Sequence, residues 1–154
     1  MRVAVCGPST CTDDVARAAF EVGRHLARRG ATVLCGGGTG VMAAVAAGAR
    51  SLNALVIAIA PTTTPGSADA TVHITTGLGE ARNAVLVNSA DAVIAVGGSW
   101  GTLSEVALAM RRGTIPVVSL GGWSMLYATG APVPGLLVAT DPEDAVKLAL
   151  SPRS

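Results

Sequence analysis

The sequence is poor in aromatic residues and in charge. Aromatic residues make up 3% and charged residues 14% of the 154 residues, and the formal net charge is +1. Basic residues form no run longer than the pairs Arg28-Arg29 and Arg111-Arg112. A protein that grips a nucleic-acid backbone needs a basic surface, which this composition does not provide. We therefore expect no nucleic-acid partner.

Long apolar runs, a signal-peptide pattern and a cysteine framework are also missing. The longest apolar stretch, residues 41–49, is far shorter than the roughly 20 residues of a membrane-spanning helix. The first residues read as a strand and not as the apolar core of a signal peptide. Three cysteines are too few for a disulfide framework, and we interpret Cys6 and Cys35 as small buried hydrophobic residues. These features predict a cytoplasmic protein without membrane contact.

Aliphatic residues and glycine dominate what is present. Half of the residues are hydrophobic and the mean hydropathy is +0.53, which excludes a disordered chain. The length is that of one domain, so we treat residues 1–154 as a single ligand-binding domain. An aliphatic excess at this size predicts apolar surface that one small domain leaves uncovered. We therefore expect a homodimer or a higher homo-oligomer, with small-residue helices such as 41–49 packing closely at the interface.

Short apolar runs alternate with longer helical stretches along the whole chain. The runs lack polar alternation, which is typical of strands covered by helices on both faces. This order predicts an α/β fold, Rossmann-like, with three αβα layers around a parallel sheet. The predicted strands are residues 3–6, 32–35, 55–60, 92–96 and 115–120, with weaker ones at 72–75 and 136–138. The only long polar loop, residues 61–69, is either a lid over a site or a plain surface loop.

Glycines gather where the predicted strands end and helices begin. Ligands of parallel sheets bind at this edge, and the free amides and dipole of a helix N-terminus favour an anion. Glycine also lets a phosphate approach the main chain closely. The Walker A and dinucleotide patterns are both absent. We therefore predict a small phosphorylated ligand of another type, bound by Gly7, Ser9, Gly37, Gly38, Thr39, Gly40, Gly97, Gly98, Ser99, Gly101 and Thr102.

Two charged residues interrupt otherwise apolar helical segments. Taken alone, Arg82 and Glu105 are typical of solvated surface charges, with Glu105 in the first turn of its helix. Beside the glycine turns, however, they form a candidate anion anchor and acid–base pair. Asn83 either supplements the ligand contacts or bonds locally. Trp100 either stacks on a ligand ring or packs at a subunit contact, and no metal site is predicted.

Three segments resemble the Lonely-guy (LOG) superfamily in order and spacing. They are residues 36–42, the pair Arg82-Asn83, and residues 97–105. The resemblance implies a Rossmann-type fold and a phosphate-holding turn, here Gly98, Gly101 and Thr102. It also implies Arg82 and Glu105 as the catalytic pair. Typical members release the base from cytokinin nucleoside 5′-monophosphates.

The sequence departs from the usual pattern of that family. Gly97 stands in place of a proline, Ser99 in place of a glycine and Asn83 in place of a lysine, and the first glycine loop is one residue short. In these departures the sequence resembles the branch of the superfamily that contains molybdenum cofactor carrier proteins. That branch implies a dimeric binder of a phosphorylated pterin or nucleotide that requires no cofactor.

Three hypotheses follow from these residues. The first is a carrier-like binder whose ligand is molybdenum cofactor or a nucleoside monophosphate. The alternative is a LOG-type nucleoside 5′-monophosphate phosphoribohydrolase, in which Glu105 assists cleavage of the N-glycosidic bond. The third is a purely structural or signalling protein whose glycines only make turns.

Overall fold

The structure is a computed structural model that describes residues 1–151, so the last three residues of the predicted domain 1–154 lie outside it. Each predicted strand and helix is present. The strands are β1 (Arg2–Cys6), β2 (Thr32–Cys35), β3 (Val56–Ala60), β4 (Val72–Thr75), β5 (Ala92–Val96), β6 (Val117–Leu120) and β7 (Leu136–Ala139). The helices are α1 (Asp13–Arg28), α2 (Val41–Arg50), α3 (Arg82–Ser89), α4 (Trp100–Arg112) and α5 (Pro142–Leu150).

The seven strands form one parallel sheet in the order β4-β3-β2-β1-β5-β6-β7. The chain runs outward from β1 to β4, crosses back, and continues from β5 to β7 on the other side of β1. Helices α1, α2 and α5 cover one face, while α3 and α4 cover the other. The predicted three-layer, Rossmann-like α/β fold is therefore confirmed. The strand order reverses between β1 and β5, which is where ligands bind in such folds.

Alternate residues of β1 show why the central strands are apolar throughout. Val3 and Val5 pack under α1, α2 and α5, whereas Ala4 and Cys6 pack under α3 and α4. Every residue of β5 is buried as well. A strand covered on both faces has no solvent side, so no polar alternation develops.

Helices α1 and α2 pack backbone against backbone through two glycines. A Cβ at Gly48 would collide with the carbonyl oxygen of Phe20, and one at Gly23 would collide with the carbonyl oxygen of Val45. The small residues of α2, which the sequence suggested for a subunit interface, thus serve packing within the chain. Close helix approach of this kind requires residues without side chains.

Strand boundaries differ from the prediction by one or two residues. β3 begins at Val56 and β6 at Val117, so Leu55 and the pair Ile115-Pro116 precede their strands. The carbonyls of Leu55 and Pro116 still accept sheet-edge hydrogen bonds from Val33 and Val93. Among the helices of residues 1–151, none combines the length and the hydropathy needed to cross a bilayer.

Candidate functional site

Three glycine turns converge at one edge of the sheet because β1, β2 and β5 are adjacent and parallel. Between them and the start of α3 lies a cleft of about 380 Å³, which we call the main cleft. Its lining comprises Gly7, Ser9, Met42, Pro61, Gly79, Glu80, Arg82, Asn83, Ser99, Gly101, Thr102 and Glu105. A second cleft of about 290 Å³, the side cleft, lies over residues 36–39. The two clefts share Ser9, Met42, Pro61 and Arg82.

The predicted ligand residues divide between these clefts. The main cleft gathers Gly7, Ser9, Arg82, Asn83, Ser99, Gly101, Thr102 and Glu105, and the side cleft adds Gly37, Gly38 and Thr39. Three predicted residues line neither of them. Gly40 packs against the loop after β1, and Gly97 and Gly98 line a separate small cavity that also includes Trp123.

Arg82 and Glu105 form an ion pair on the floor of the main cleft. The guanidinium Nη1 lies 3.3 Å from Glu105 Oε1, and the two residues are only 9% and 7% exposed. Neither is therefore a solvated surface charge, which corrects the interpretation of each residue taken alone. Glu105 is also not in the first turn, because α4 begins at Trp100 and the carboxylate lies in the second.

Burial changes the proton affinity of this carboxyl group. Loss of solvent raises the pKa of Glu105 to about 7, although the charge of Arg82 and a hydrogen bond from the Cys6 thiol oppose the rise. A carboxyl group with a pKa near neutrality can hold or release a proton under ordinary conditions. The carboxyl group of Glu105 therefore has a pKa suited to a general acid or base.

Cys6 belongs to this site, although the sequence pointed only to a small buried residue. It is buried, as expected, but its thiol also contacts Glu105. Burial, together with the negative charge of Glu105, raises the pKa of the Cys6 thiol well above its usual value. The thiol thus stays protonated and donates to the carboxylate. Its position at the carboxyl end of β1, beside the glycine turns, was the available signal.

The guanidinium of Arg82 has unused hydrogen-bonding capacity. It lies over Gly36, where an added Cβ would be 2.6 Å from Nη1. Its Nε is buried and has no hydrogen-bond partner in the part of the chain that the structure describes. Buried donors are nearly always paired, so an unpaired donor beside a cleft is an unusual feature.

The N-terminus of α4 is held by side chains. Ser99 is the N-cap, and its Oγ accepts from the amide of Thr102 at 3.2 Å and bonds the Thr102 hydroxyl at 2.9 Å. Asn83 Nδ2 donates to Ser104 Oγ at 2.8 Å, which ties α3 to the same end. The amides of Trp100 and Gly101 have no intrahelical acceptor, as is usual in a first turn.

Gly101 differs from the glycines of the three turns that packing requires. Gly7, Gly40 and Gly98 leave no room for a Cβ, because Val96, Ser9 and Trp123 lie against them. At Gly101 the nearest atom to an added Cβ is Ser99 Oγ, at 3.8 Å. Packing does not require a glycine there, although glycine in a helix costs about 1 kcal/mol relative to alanine.

The polar loop of residues 61–69 forms one wall of the side cleft. Ala68 donates its amide to the carbonyl of Gly37 at 3.1 Å, and the backbone of Gly66 contacts the same carbonyl. Pro61, Thr62, Gly66 and Ser67 face the cleft. The loop is thus anchored on the glycine turn and is part of the site.

Trp100 lies outside the lining of both clefts. It is 78% exposed and packs edge-on against Trp123, with ring centroids 4.8 Å apart. This position favours a surface contact over stacking on a ligand in the main cleft.

Comparison with known proteins identifies the family of this chain. The model of the SLOG cluster4 family matches residues 1–146. A protein of Archaeoglobus fulgidus is 38% identical over 152 residues, which cover 98% of this chain and 95% of that protein.

Two of the similar solved structures are those of a molybdenum cofactor binding protein and a molybdenum cofactor carrier protein. The molybdenum cofactor binding protein of Rippkaea orientalis superimposes with a TM-score of 0.84 at 32% identity, covering 96% of this chain and 93% of that one. The molybdenum cofactor carrier protein of Chlamydomonas reinhardtii gives 0.80 at 29% identity, with 95% and 93% covered.

Proposed function

Because this chain belongs to the SLOG cluster4 family, we propose that it is a carrier-like protein that binds a phosphorylated pterin- or nucleotide-type ligand in the main cleft. The observation that carries the proposal is the N-terminus of α4. The first-turn amides of that helix lack intrahelical acceptors, and Gly101, which lines the main cleft beside the point where the sheet order reverses, leaves the approach clear. Backbone amides and the helix dipole make such an end a site for phosphate.

The phosphate would be held by the amides of Trp100 and Gly101. Ser99 and Thr102 bond each other and so fix the helix end, which leaves the amides of Trp100 and Gly101 free for a ligand; of these two residues, Gly101 lines the main cleft. The resemblance implied Gly98, Gly101 and Thr102 as the phosphate-holding residues, whereas the amide of Thr102 already donates to Ser99. A methyl group at Gly101 would be tolerated by the fold but would stand where the phosphate approaches.

The remaining residues fit a ring system attached to that phosphate. The buried Nε of Arg82 is a donor that a ring carbonyl or phosphate oxygen would satisfy. Arg82 lines both clefts, so a ligand that extends from the main cleft into the side cleft would pass it. Molybdenum cofactor, a pterin that carries a phosphate, has the required chemistry, and the similar proteins that bind it support this choice.

Calorimetric titration tests the proposal, with 5′-GMP and 5′-AMP as probes. We expect binding to the wild-type protein and a loss of at least about tenfold in Gly101→Ala, because the added methyl group keeps the phosphate from the amides and costs at least one charge-assisted hydrogen bond. Ala107→Ser, a change on the exposed part of the same helix, is the matched control and should bind as wild type does. Absence of binding by the wild type, or equal binding by Gly101→Ala, would contradict the proposal.

A second candidate function is supported by the Arg82–Glu105 pair. Glu105 has a pKa near 7 and lies in the cleft, so it is suited to assist hydrolysis of an N-glycosidic bond. In this alternative the protein is a nucleoside 5′-monophosphate phosphoribohydrolase that releases base and ribose 5-phosphate. Arg82 would then orient the phosphate or stabilise the leaving base.

Chromatography of released base separates the two functions. A panel of nucleoside 5′-monophosphates, including an N6-modified AMP, is incubated with the wild type and with Glu105→Gln. The carrier function predicts binding without release. Release by the wild type that Glu105→Gln abolishes, while its phosphate binding is retained, would establish the hydrolase.

A further inference from the structure

Two walls of the main cleft favour ligand groups of different charge. One wall is the N-terminus of α4, which favours an anion. Another wall is the turn of residues 79–81, which precedes α3 and presents Glu80 to the cleft. A carboxylate weakens the binding of a bare phosphate, so a plain anion does not account for both walls.

Glu80 is an exposed residue that lines the main cleft. Within residues 1–151, no ion pair or hydrogen bond engages its carboxylate. The lining of the cleft includes one cationic side chain, Arg82, and that residue is paired with Glu105. The carboxylate of Glu80 is therefore available to a ligand.

The backbone that carries Glu80 is fixed in place. Gly79 donates its amide to the carbonyl of Pro61 at 2.9 Å, and Gly77 donates to Thr62 at 3.1 Å. Glu80 lies two residues before Arg82, whose buried Nε is an independent sign of a ligand at this place. Both residues line the main cleft, which therefore contains an unpaired carboxylate acceptor and a guanidinium with one unpaired donor.

We propose that Glu80 determines ligand specificity by accepting hydrogen bonds from two neighbouring N–H groups of the ligand ring, the donor edge that guanine and pterins share. This inference rests on the proposed function and names the ring that the phosphate carries. A carboxylate accepts from two parallel donors at once, as it does from guanidinium. Arg82 donates to the ring carbonyl beside that edge. Adenine lacks the paired donors, and ribose 5-phosphate lacks the ring.

Titration of four probes tests the assignment: 5′-GMP, 5′-IMP, 5′-AMP and ribose 5-phosphate. IMP differs from GMP only by the missing 2-amino group. We expect GMP to bind about tenfold or more tightly than IMP and AMP, because IMP lacks one of the two donors and AMP lacks both. In Glu80→Gln the affinity for GMP should fall about tenfold, whereas ribose 5-phosphate should bind as tightly or more tightly, since a repelling charge is gone.

Glu143→Gln is the matched control, because it makes the same change on an exposed carboxylate of α5. It should retain the preference for GMP. If GMP, IMP and ribose 5-phosphate bind wild type with equal affinity, or if Glu80→Gln keeps the preference, the role of Glu80 is wrong while phosphate binding stands. If no probe binds, the proposed function itself fails. The readout is binding, so it does not depend on turnover.

Discussion

A buried pair of opposite charges is the unusual feature at the scale of single residues. Removing Arg82 and Glu105 from water costs free energy that their mutual attraction seldom repays in full. Such pairs in clefts are often kept for function, and a strongly shifted pKa is one indicator of it. Here the shift of Glu105, the unpaired Nε of Arg82 and the cleft coincide.

The raised pKa of Glu105 predicts how stability depends on pH. Its pKa is about 7 in the folded protein and near 4.5 when unperturbed. Between pH 4.5 and about 7 the folded state binds more protons at Glu105 than the unfolded chain does. The contribution of Glu105 to the free energy of unfolding therefore falls as the pH rises through this range. Glu105→Gln does not titrate. We expect its Tm, measured relative to wild type, to become more positive from pH 5 to pH 8.

Thermal unfolding of both proteins, followed by circular dichroism at several pH values, measures that difference. All other titrating groups are common to the two proteins and cancel to first order. A Tm difference that stays constant with pH would mean that Glu105 ionises with an ordinary pKa.

At the scale of elements, the N-terminus of α4 has two separable properties, its cap and its charge preference. Ser99→Ala removes the cap and should destabilise the protein by about 0.5–2 kcal/mol. Ser99→Asp restores a good capping group but places a negative charge beside the amides of Trp100 and Gly101. We therefore expect Ser99→Asp to unfold at nearly the wild-type temperature and to lose nucleotide binding.

Denaturant unfolding and titration with 5′-GMP, carried out on both variants, separate these effects. If Ser99→Asp binds as tightly as wild type, the phosphate is not held at this helix end.

The contact between α1 and α2 gives a second prediction at this scale. By helix propensity alone, Gly48→Ala would stabilise α2 by about 1 kcal/mol. The collision of its Cβ with Phe20 forces the helices apart instead, so we expect a loss of about 1–3 kcal/mol, as is usual for overpacking. Chemical denaturation measures the sign. Stabilisation would show that the helices are not in backbone contact.

The whole fold could be predicted from the sequence because its signals are local and repeated. Apolar runs without alternation and the order of elements both indicate one architecture. The structure confirms the seven strands and their parallel arrangement. Boundaries such as Leu55 and Pro116 differ because a residue can accept a sheet hydrogen bond without being part of the strand.

The site was only partly predictable, because burial is a property of the folded chain. Local sequence marks Arg82 and Glu105 as polar but gives no sign that both are enclosed. The contact of Cys6 with Glu105 depends on the approach of α4 to β1. Glu80 belongs to no recognisable sequence motif. It lines the cleft because its turn is held in place by the hydrogen bond from Gly79 to Pro61.

At the scale of the molecule, exposed apolar side chains bear on assembly. Trp100, Leu126, Tyr127 and Val138 are each more than half exposed. Val138 lies on the edge strand β7. We predict that these residues lie in an interface of a homodimer or higher homo-oligomer, since large exposed apolar groups favour association. Light scattering should give a mass at least twice 15.2 kDa, and Val138→Asp should lower it. A monomeric wild-type protein at micromolar concentration would contradict this prediction.

The central claim is that the amides of Trp100 and Gly101 hold the phosphate of the ligand. Nuclear magnetic resonance of ¹⁵N-labelled protein tests it most directly, through amide chemical shifts during titration with 5′-GMP. We predict that these two amide protons move downfield on saturation, as charge-assisted hydrogen bonds form. Saturable binding that leaves both signals in place would show that the phosphate is held elsewhere.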